Sequence, residues 1–377
     1  MIKVLFVANR PEILSGGQVS LLELLTRIDR LQLEPVVLIP GEGEMAERVR
    51  SMGITLLLWG MPTARMLNIG VIKRKVKELR SIVREQGVDI VHTNGSRAQF
   101  YASLAVKGTK ARLVWHVREA KKDIPLYDLF LAASADKIIC VSKAVKNKRF
   151  GLYPWLEPKI KVIYNGVDTN RFVRDDGEGE RARKDLGING DKKFLGTIGL
   201  LIPRKGHVFL FNALKTVVKK HPDIRFLILG KTVHESYTAG LRKKVWEMGI
   251  EKNILFKEPL NDINPVLSGL DIFVLPSRSE GFSRVLIEAM SCSLPVVTTD
   301  VEGNNEAVID GESGVLVPYG DISRLAGAIE KMIDNTAHAK EVGQNARKRV
   351  EKFFSIEKHA FDVQELYREI VATSCHD

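Results

Sequence analysis

The chain is 377 residues long and 45% hydrophobic, which exceeds one hydrophobic core and predicts two domains of about 150 to 180 residues. Its 57 Lys and Arg against 46 Asp and Glu give a formal charge of +11, and no apolar run reaches the roughly 18 residues that a membrane span needs. Residues 1–8 meet Arg10 and Pro11 too soon, and lack a small-residue cleavage site, so they read as a first strand and not a signal peptide; a cytoplasmic protein is expected.

The charge is uneven. Residues 1–172 hold 28 Lys and Arg against 16 Asp and Glu, while the remainder holds 29 against 30. The excess in the first half suits an anionic partner there: a membrane surface, a phosphate-bearing acceptor or nucleic acid. Nucleic acid is not expected, because the basic residues lack interleaved aromatics or a recognised binding module.

In that half, apolar runs at residues 2–7, 35–39, 54–59, 88–91, 113–117, 137–141 and 161–163 alternate with helical segments. Such alternation predicts a parallel sheet covered on both faces. After the first run, Ser15-Gly16-Gly17-Gln18 reads as a tight turn opening a helix. Without a G-x-G-x-x-G it argues against a dinucleotide-binding half. Residues 59–67 mix apolar and basic side chains and make a candidate lipid-facing loop. The helix that follows, over residues 70–84, sets Ile72, Val76, Leu79 and Val83 on one stripe, with Lys73, Arg74, Lys75, Lys77, Arg80 and Arg84 elsewhere. The stripe is expected to pack on the sheet, and the cations could rest on anionic lipid at about 1 kcal/mol per residue near the surface.

His92 and His116 each end a strand; His116, within Trp115-His116-Val117-Arg118-Glu119, points into the ligand cleft, and His92 reads as structural. Cys140 and Cys292 lie in apolar contexts and, with Cys375, predict reduced thiols without a disulfide framework or zinc site. Asn165 and Gly166 read as the turn that closes the first domain, and the polar, Gly-containing residues 174–180 as its boundary with the second. There the strand pattern restarts, at residues 194–198, 225–229, 254–256, 271–275, 295–298 and 314–317.

The predicted fold class is therefore α/β, two tandem Rossmann-like doubly wound domains facing across a cleft. Residues 1–172 form the first domain and residues 173–355 the second, with a last helix within 356–377 crossing back to the first. Ligands of such sheets bind beyond the carboxyl ends of the strands.

In the second half, Pro203-Arg204-Lys205-Gly206-His207 joins a strand to a helix over residues 208–219. A lysine at such a turn adds its ammonium to the helix N-terminus and suits phosphate. The most informative stretch is Glu280-Gly281-Phe282-Ser283-Arg284-Val285-Leu286-Ile287-Glu288, which reads as a turn and then a helix carrying an acid. Gly281 lets the backbone approach a ligand closely, and the free amides of a helix starting near Ser283 point at anything bound there. Glu280 precedes those amides and Glu288 lies about a turn and a half into the helix. Each carboxylate can accept hydrogen bonds from hydroxyls at a different end of one extended ligand. A nucleotide-sugar, with sugar at both ends and phosphate between, is such a ligand.

The spacing Glu-x7-Glu, continuing through Ala289-Met290 and Pro295-Val296-Val297 to Glu306-Ala307-Val308, resembles the signature of the retaining glycosyltransferases of family 4. The resemblance covers most of the chain and is strongest over residues 199–317. It implies the GT-B fold and transfer of a sugar, with retention at the anomeric carbon, from a UDP- or GDP-sugar to a hydroxyl of a glycan or lipid-linked acceptor. Cell-envelope polysaccharide, lipopolysaccharide or glycolipid synthesis is the setting it implies, with the protein cytoplasmic and peripheral on the inner face of the membrane.

By the same resemblance Lys205 binds diphosphate, Gly16 and Gly17 close over donor phosphate and acceptor, and His116 contacts the transferred sugar. Catalytic roles then fall to His116 and Glu280, and donor binding to Gly16, Gly17, Arg204, Lys205, Gly281, Phe282, Ser283 and Glu288. The chain departs from the family at Leu200, where an arginine is usual, and Arg204 is the candidate replacement. No D-x-D occurs, so neither a metal nor any other cofactor is expected, and no side chain reads as a nucleophile. The departing diphosphate would help to take the acceptor's proton. The alternatives are a nucleotide-sugar epimerase of similar architecture, which would not explain the two acids, and nucleic-acid binding by the basic half.

Overall fold

The structure is a computed structural model that describes residues 1–13, 16–62, 69–119, 125–190 and 192–374. The chain divides into two compact units, Met1–Gly166 together with the helix that starts at Ile356, and Val167–Ser355.

The first unit is built on a seven-stranded parallel sheet: β1 (Ile2–Ala8), β2 (Leu33–Ile39), β3 (Thr55–Leu58), β4 (Ile90–Asn94), β5 (Arg112–Val117), β6 (Lys137–Cys140) and β7 (Ile160–Val162), in the order β3-β2-β1-β4-β5-β6-β7. All seven apolar runs of the first half lie on these strands. The period of two along a strand gives the sheet its two covered faces. Val4, Phe6 and Ala8 pack on one face with Leu21, Leu24 and Leu25 of the helix Gly16–Thr26. Leu5 and Val7 pack on the other with Leu79, Val83 and Tyr101.

The first face is completed by the helix Ile356–Ser374, whose Ala360, Val363, Leu366, Tyr367 and Ile370 recur at helical spacing and join the same cluster. Burying a Val, Leu or Ile side chain contributes roughly 1.5–3 kcal/mol, so this stripe holds the helix to the first unit.

The basic helix Ile69–Glu85 uses its apolar stripe in the same way: Leu79 and Val83 are buried, and Ile72 and Val76 pack beside them. Several of its cations are engaged by the protein. Lys75 pairs with Glu78 at 2.7 Å, Arg80 donates to the carbonyls of Leu104 at 2.8 Å and Ala105 at 3.1 Å, and Arg84 donates to that of Gly108 at 2.9 Å. Lys73 and Lys77 are exposed. Much of the neighbouring candidate lipid-facing loop, residues 63–67, lies outside the described residues, as do Ser15 and Cys375. Cys140 and Cys292 are buried and free, and burial pushes each thiol up to about 12. Among the described residues, no helix is long and apolar enough to cross a membrane.

The second unit carries a six-stranded parallel sheet of β8 (Phe194–Ile198), β9 (Arg225–Leu229), β10 (Ile254–Lys257), β11 (Ile272–Leu275), β12 (Val296–Thr299) and β13 (Val315–Val317), in the order β10-β9-β8-β11-β12-β13. Its chain order reverses between β8 and β11, the place where loops leaving the strand ends part and open a binding crevice.

One expectation fails here. Residues 174–180 are not a boundary linker: they start the helix Asp176–Asp185, with the Asp175 carboxylate capping it by accepting from the Glu178 N–H at 2.9 Å. Gly179 is a packing contact, because a Cβ there would come within 2.7 Å of the Ser268 carbonyl in the helix Asn264–Gly269. The units part at Gly166 and Val167 instead, ahead of the expected 172/173 boundary. Residues beyond that point are tied into the second unit, the Val167 N–H donating to the Phe354 carbonyl at 2.9 Å and the Ser291 hydroxyl to that of Phe172 at 2.6 Å.

Candidate functional site

In the second unit, β8 and β11 are hydrogen-bonded neighbours, so the loops that leave their carboxyl ends emerge side by side. The β8 loop ends in a short turn, Pro203–Lys205, and then Gly206, which caps the helix His207–Lys220. Gly206 has φ 73°, and a Cβ there would lie 1.9 Å from the Pro276 carbonyl oxygen at the end of β11. Only glycine lets the two loops close on each other. The Arg278 N–H then donates to the Arg204 carbonyl at 2.8 Å and locks them.

That contact brings Lys205 and Glu280 together across 75 residues of sequence: the Lys205 ammonium donates to Glu280 Oε1 at 2.7 Å. Ser277 Oγ donates to the same oxygen at 2.7 Å. Arg204 lies 3.4 Å from Glu280 Oε2 and also donates to the Ser279 carbonyl at 3.0 Å. Glu280 is 8% exposed, Lys205 14% and Arg204 47%, so Lys205 is the partner that solvent screens least. Burial alone would raise the Glu280 carboxyl, but Lys205 and Arg204 outweigh it and hold the group below its ordinary value.

The chain continues through Gly281 and Phe282, whose ring packs on Phe354 with centroids 5.1 Å apart, into the helix Arg284–Ser291. Ser283 occupies the N-cap position, yet its hydroxyl makes no cap bond, is buried and has no hydrogen-bond partner among the described residues. The first turn of this helix is thus not capped by a side chain. Glu288 is not a solvated helix residue: Arg284, one turn earlier, donates to its Oε1 at 2.8 Å, and both side chains are under 10% exposed. Sequence reasoning gave no role to Arg284 or Ser277, although the i,i+4 spacing of Arg284 and Glu288 marks a helix pair.

In the first unit, Gly16 and Gly17 open the helix after β1. That helix also supplies Ser20, whose hydroxyl donates to Asn165 Oδ1 at 3.2 Å. The same oxygen accepts from Arg118 at 2.7 Å. His116 on β5 and His92 on the adjacent β4 project from one face, because His92 pairs with Val114 in register and His116 is two residues on. Neither ring is exposed. The expected opening of His116 into a cleft is not what the structure shows: the ring is enclosed by His92, Arg118 and, at 6.1 Å between centroids, His359. Burial, with Arg118 nearby, lowers His92 to about 3 and His116 well below the ordinary imidazole value, so both rings are neutral near pH 7.

What surrounds these two centres matches known proteins over nearly the whole chain. The model of the Glycosyltransferase Family 4 family matches residues 14–171, and that of Glycosyl transferases group 1 matches residues 178–349. The chain is 26% identical to UDP-Gal:alpha-D-GlcNAc-diphosphoundecaprenol alpha-1,3-galactosyltransferase of Escherichia coli, covering 94% of this chain and 97% of that one. It is also 26% identical to the lipopolysaccharide core biosynthesis mannosyltransferase LpsB of Rhizobium meliloti, over 96% of each chain. Among solved structures, Anabaena HepE in complex with UDP-glucose superposes with a TM-score of 0.86 at 22% identity, covering 98% of this chain and 100% of that one. That likeness shows the fold, GT-B. With the family 4 glycosyltransferases matched on its first half and the group 1 glycosyl transferases on its second, the chain belongs to the family 4 glycosyltransferases.

Proposed function

We propose that this glycosyltransferase takes a sugar from a UDP-sugar, retains its anomeric configuration and places it on a hydroxyl of a glycan or lipid-linked acceptor. The observation that carries the reading is Glu280 held by Lys205 and Arg204, in the loop that leads to the unpartnered Ser283 hydroxyl at the N-cap of the helix Arg284–Ser291. Two cations beside a helix N-terminus suit a diphosphate. Without donor, Glu280 supplies their counter-charge. An arriving diphosphate exchanges with it, each charge-assisted bond being worth roughly 1.5–3 kcal/mol. The carboxylate so released can accept from sugar hydroxyls, while Glu288, steadied by Arg284, takes those of the ribose. Arg204 would do the work of the arginine that Leu200 replaces.

With no side chain as nucleophile, the acceptor attacks on the face that the nucleotide leaves, and the departing diphosphate takes its proton. The cations and amides meet the charge that develops on the leaving group, so no metal is required in this scheme. The choice of UDP is supported by HepE, which binds UDP and UDP-glucose. A cell-envelope glycan is supported by the names of the E. coli and R. meliloti relatives. A cytoplasmic place of action, at the inner face of the membrane, follows from that setting.

A thermal-shift series over UDP-, GDP- and ADP-sugars tests the donor, since a ligand at a hundred times its Kd adds about 2.7 kcal/mol. Stabilisation by none of the three would sink the reading. The anomeric coupling constant in the product tests retention, and unchanged turnover in chelator tests metal independence.

A further inference from the structure

One surface of the first unit, just after β6, has no part in the transfer scheme. The helix Lys143–Phe150 buries Ala144, Val145, Arg149 and Phe150. It turns Lys143, Asn147 and Lys148 outward, and the outward stripe runs on past the helix end. Gly151 keeps helical angles, φ −59° and ψ −18°, and its N–H donates to the Asn147 carbonyl at 2.9 Å. Leu152 therefore falls one turn beyond Lys148 on the same face, and it is 71% exposed.

Trp155 follows in the turn Pro154–Lys159 and is 64% exposed, while its neighbour Leu156 is buried. Leu156 seats the turn, and the indole stays outside, edge-on to Tyr153 with ring centroids 5.4 Å apart. Leu126, 80% exposed, joins this side: it lies two residues before Asp128, whose carboxylate pairs with Arg149, three residues before Leu152. The platform is firm. Arg149 also donates to Ser96 Oγ at 3.1 Å and stacks 4.9 Å from the centroid of the Trp115 ring, which in turn packs on Phe150. These apolar side chains are thus held out in water by a fixed core contact, and clustered apolar surface of that kind marks an interaction site.

Charge says what covers it. Residues 143–155 hold four basic residues and no acid. Two of the four are neutralised within the fold, Lys146 by Glu157 and Arg149 by Asp128, whereas Lys143 and Lys148 carry their charge on the exposed face that Leu152 extends. Apolar tips among cations, with an indole at the boundary, match the surface of an anionic bilayer: phosphate headgroups take the ammonium groups and the acyl boundary takes the Leu and Trp side chains. Lysine is depleted where two proteins bury surface against each other, which counts against a protein partner.

We infer that Lys143, Lys148, Leu152 and Trp155 form the surface by which the first unit docks on an anionic lipid bilayer, with the Leu152 and Trp155 side chains entering the headgroup layer. The inference rests on the proposed place of action at a membrane and adds to it the face that the protein turns to the lipid.

Tryptophan fluorescence of the full chain tests it. Of the four tryptophans, Trp59 and Trp115 are buried and Trp246 is exposed, so Trp246→Phe leaves Trp155 as the one exposed indole. With phosphatidylglycerol vesicles at low salt, that protein is expected to shift its emission to shorter wavelength and to be quenched by lipid brominated near the top of the acyl chain; with phosphatidylcholine vesicles it should do neither. Lys143→Gln with Lys148→Gln is expected to weaken partitioning onto the anionic vesicles by about five-fold per charge, a loss that shrinks as salt rises. Leu152→Ser with Trp155→Ser should weaken it by about tenfold or more at any salt concentration, and both side chains are exposed, so folding is expected to survive. Binding that leaves Trp155 unshifted and unquenched would overturn the inference, as would equal binding to both kinds of vesicle or binding to neither. No donor or acceptor is present in these mixtures, so a protein that ignores vesicles while UDP-glucose still raises its melting temperature fails here and leaves the donor reading standing.

Discussion

The two units set polar groups into parallel sheets by the same device, neighbouring strands at or beside a reversal of chain order, and fill that place with opposite chemistry. In the second unit it is ionic: Lys205 and Arg204 on Glu280, and Arg284 on Glu288. In the first it is a run of neutral imidazoles and a phenol ending on one guanidinium. An ionic cluster is suited to trading one anion for another, since its partners are charged before and after. A neutral chain is suited to directing a single proton, because each ring has one hydrogen to place.

The sharpest break in that comparison is at the buried Arg284–Glu288 pair. Glu288→Ala is expected to cost about 3–5 kcal/mol of stability by leaving a guanidinium buried without its carboxylate. The double variant Arg284→Leu with Glu288→Leu should recover most of it while still losing UDP affinity. Chemical denaturation gives the first quantity and calorimetry the second; a stable single variant would mean that the pair is not desolvated in solution.

Lys205→Ala is expected next in size, weakening UDP by roughly 1.5–3 kcal/mol and uridine by much less, as titration calorimetry of both ligands would show. Equal losses for both would place Lys205 away from the phosphates. Arg204→Ala should give a smaller loss of the same kind.

Acid should separate the two centres. Below about pH 6.5 the unfolded chain protonates His92 and His116, but the folded chain does not protonate His92 until about pH 3, and His116 is also held well down. Stability from these rings is therefore full above pH 6.5 and falls with pH, by about 1.4 kcal/mol per pH unit for each. His207, lowered to about 4, brings one ring's share to the second unit in the same window. Glu280 acts lower still, since a depressed carboxyl contributes stability above its unfolded value of about 4.5 that is lost as pH falls through its folded one. Hydrogen exchange at pH 5.5 should show β5 amides losing more protection than β11 amides. Equal protection would contradict the neutral state of the histidine chain.

Smallest of all should be the basic helix. Replacing Lys73, Arg74, Lys75 and Lys77 by Gln removes two ion pairs to Glu78, from Lys75 at 2.7 Å and Arg74 at 3.8 Å, at about 0.3–0.5 kcal/mol each. Any larger consequence should appear as lost pelleting with anionic vesicles at low salt; if the wild type does not pellet, the basic face serves something other than lipid.

The strands were legible in the sequence because burial on both faces of a parallel sheet demands short apolar runs, and each such run is a strand. Glu280, Lys205 and Glu288 stood out in the sequence by residue type and turn chemistry. That Lys205 would sit on Glu280 was not legible, for it follows from β8 and β11 being neighbours, with 75 residues between the partners. That His92 would bond Tyr367 was not legible either, because Tyr367 lies 275 residues away on a helix whose own pattern shows an apolar stripe and nothing of its destination. Residues 174–180 were misread since glycine among charges looks like a linker, and close packing of two helices asks for glycine too.

The helix Ile356–Ser374 follows the whole of the second unit in the chain but completes the core of the first. On the ribosome, the first unit must therefore wait with one sheet face uncovered while the second is made, and only then acquires Tyr367. The second unit, continuous in sequence, has no such delay. The bond between Tyr367 and His92 is thus among the last contacts of the first unit to form, and a chain that stopped at Ser355 would leave His92 without its phenol partner.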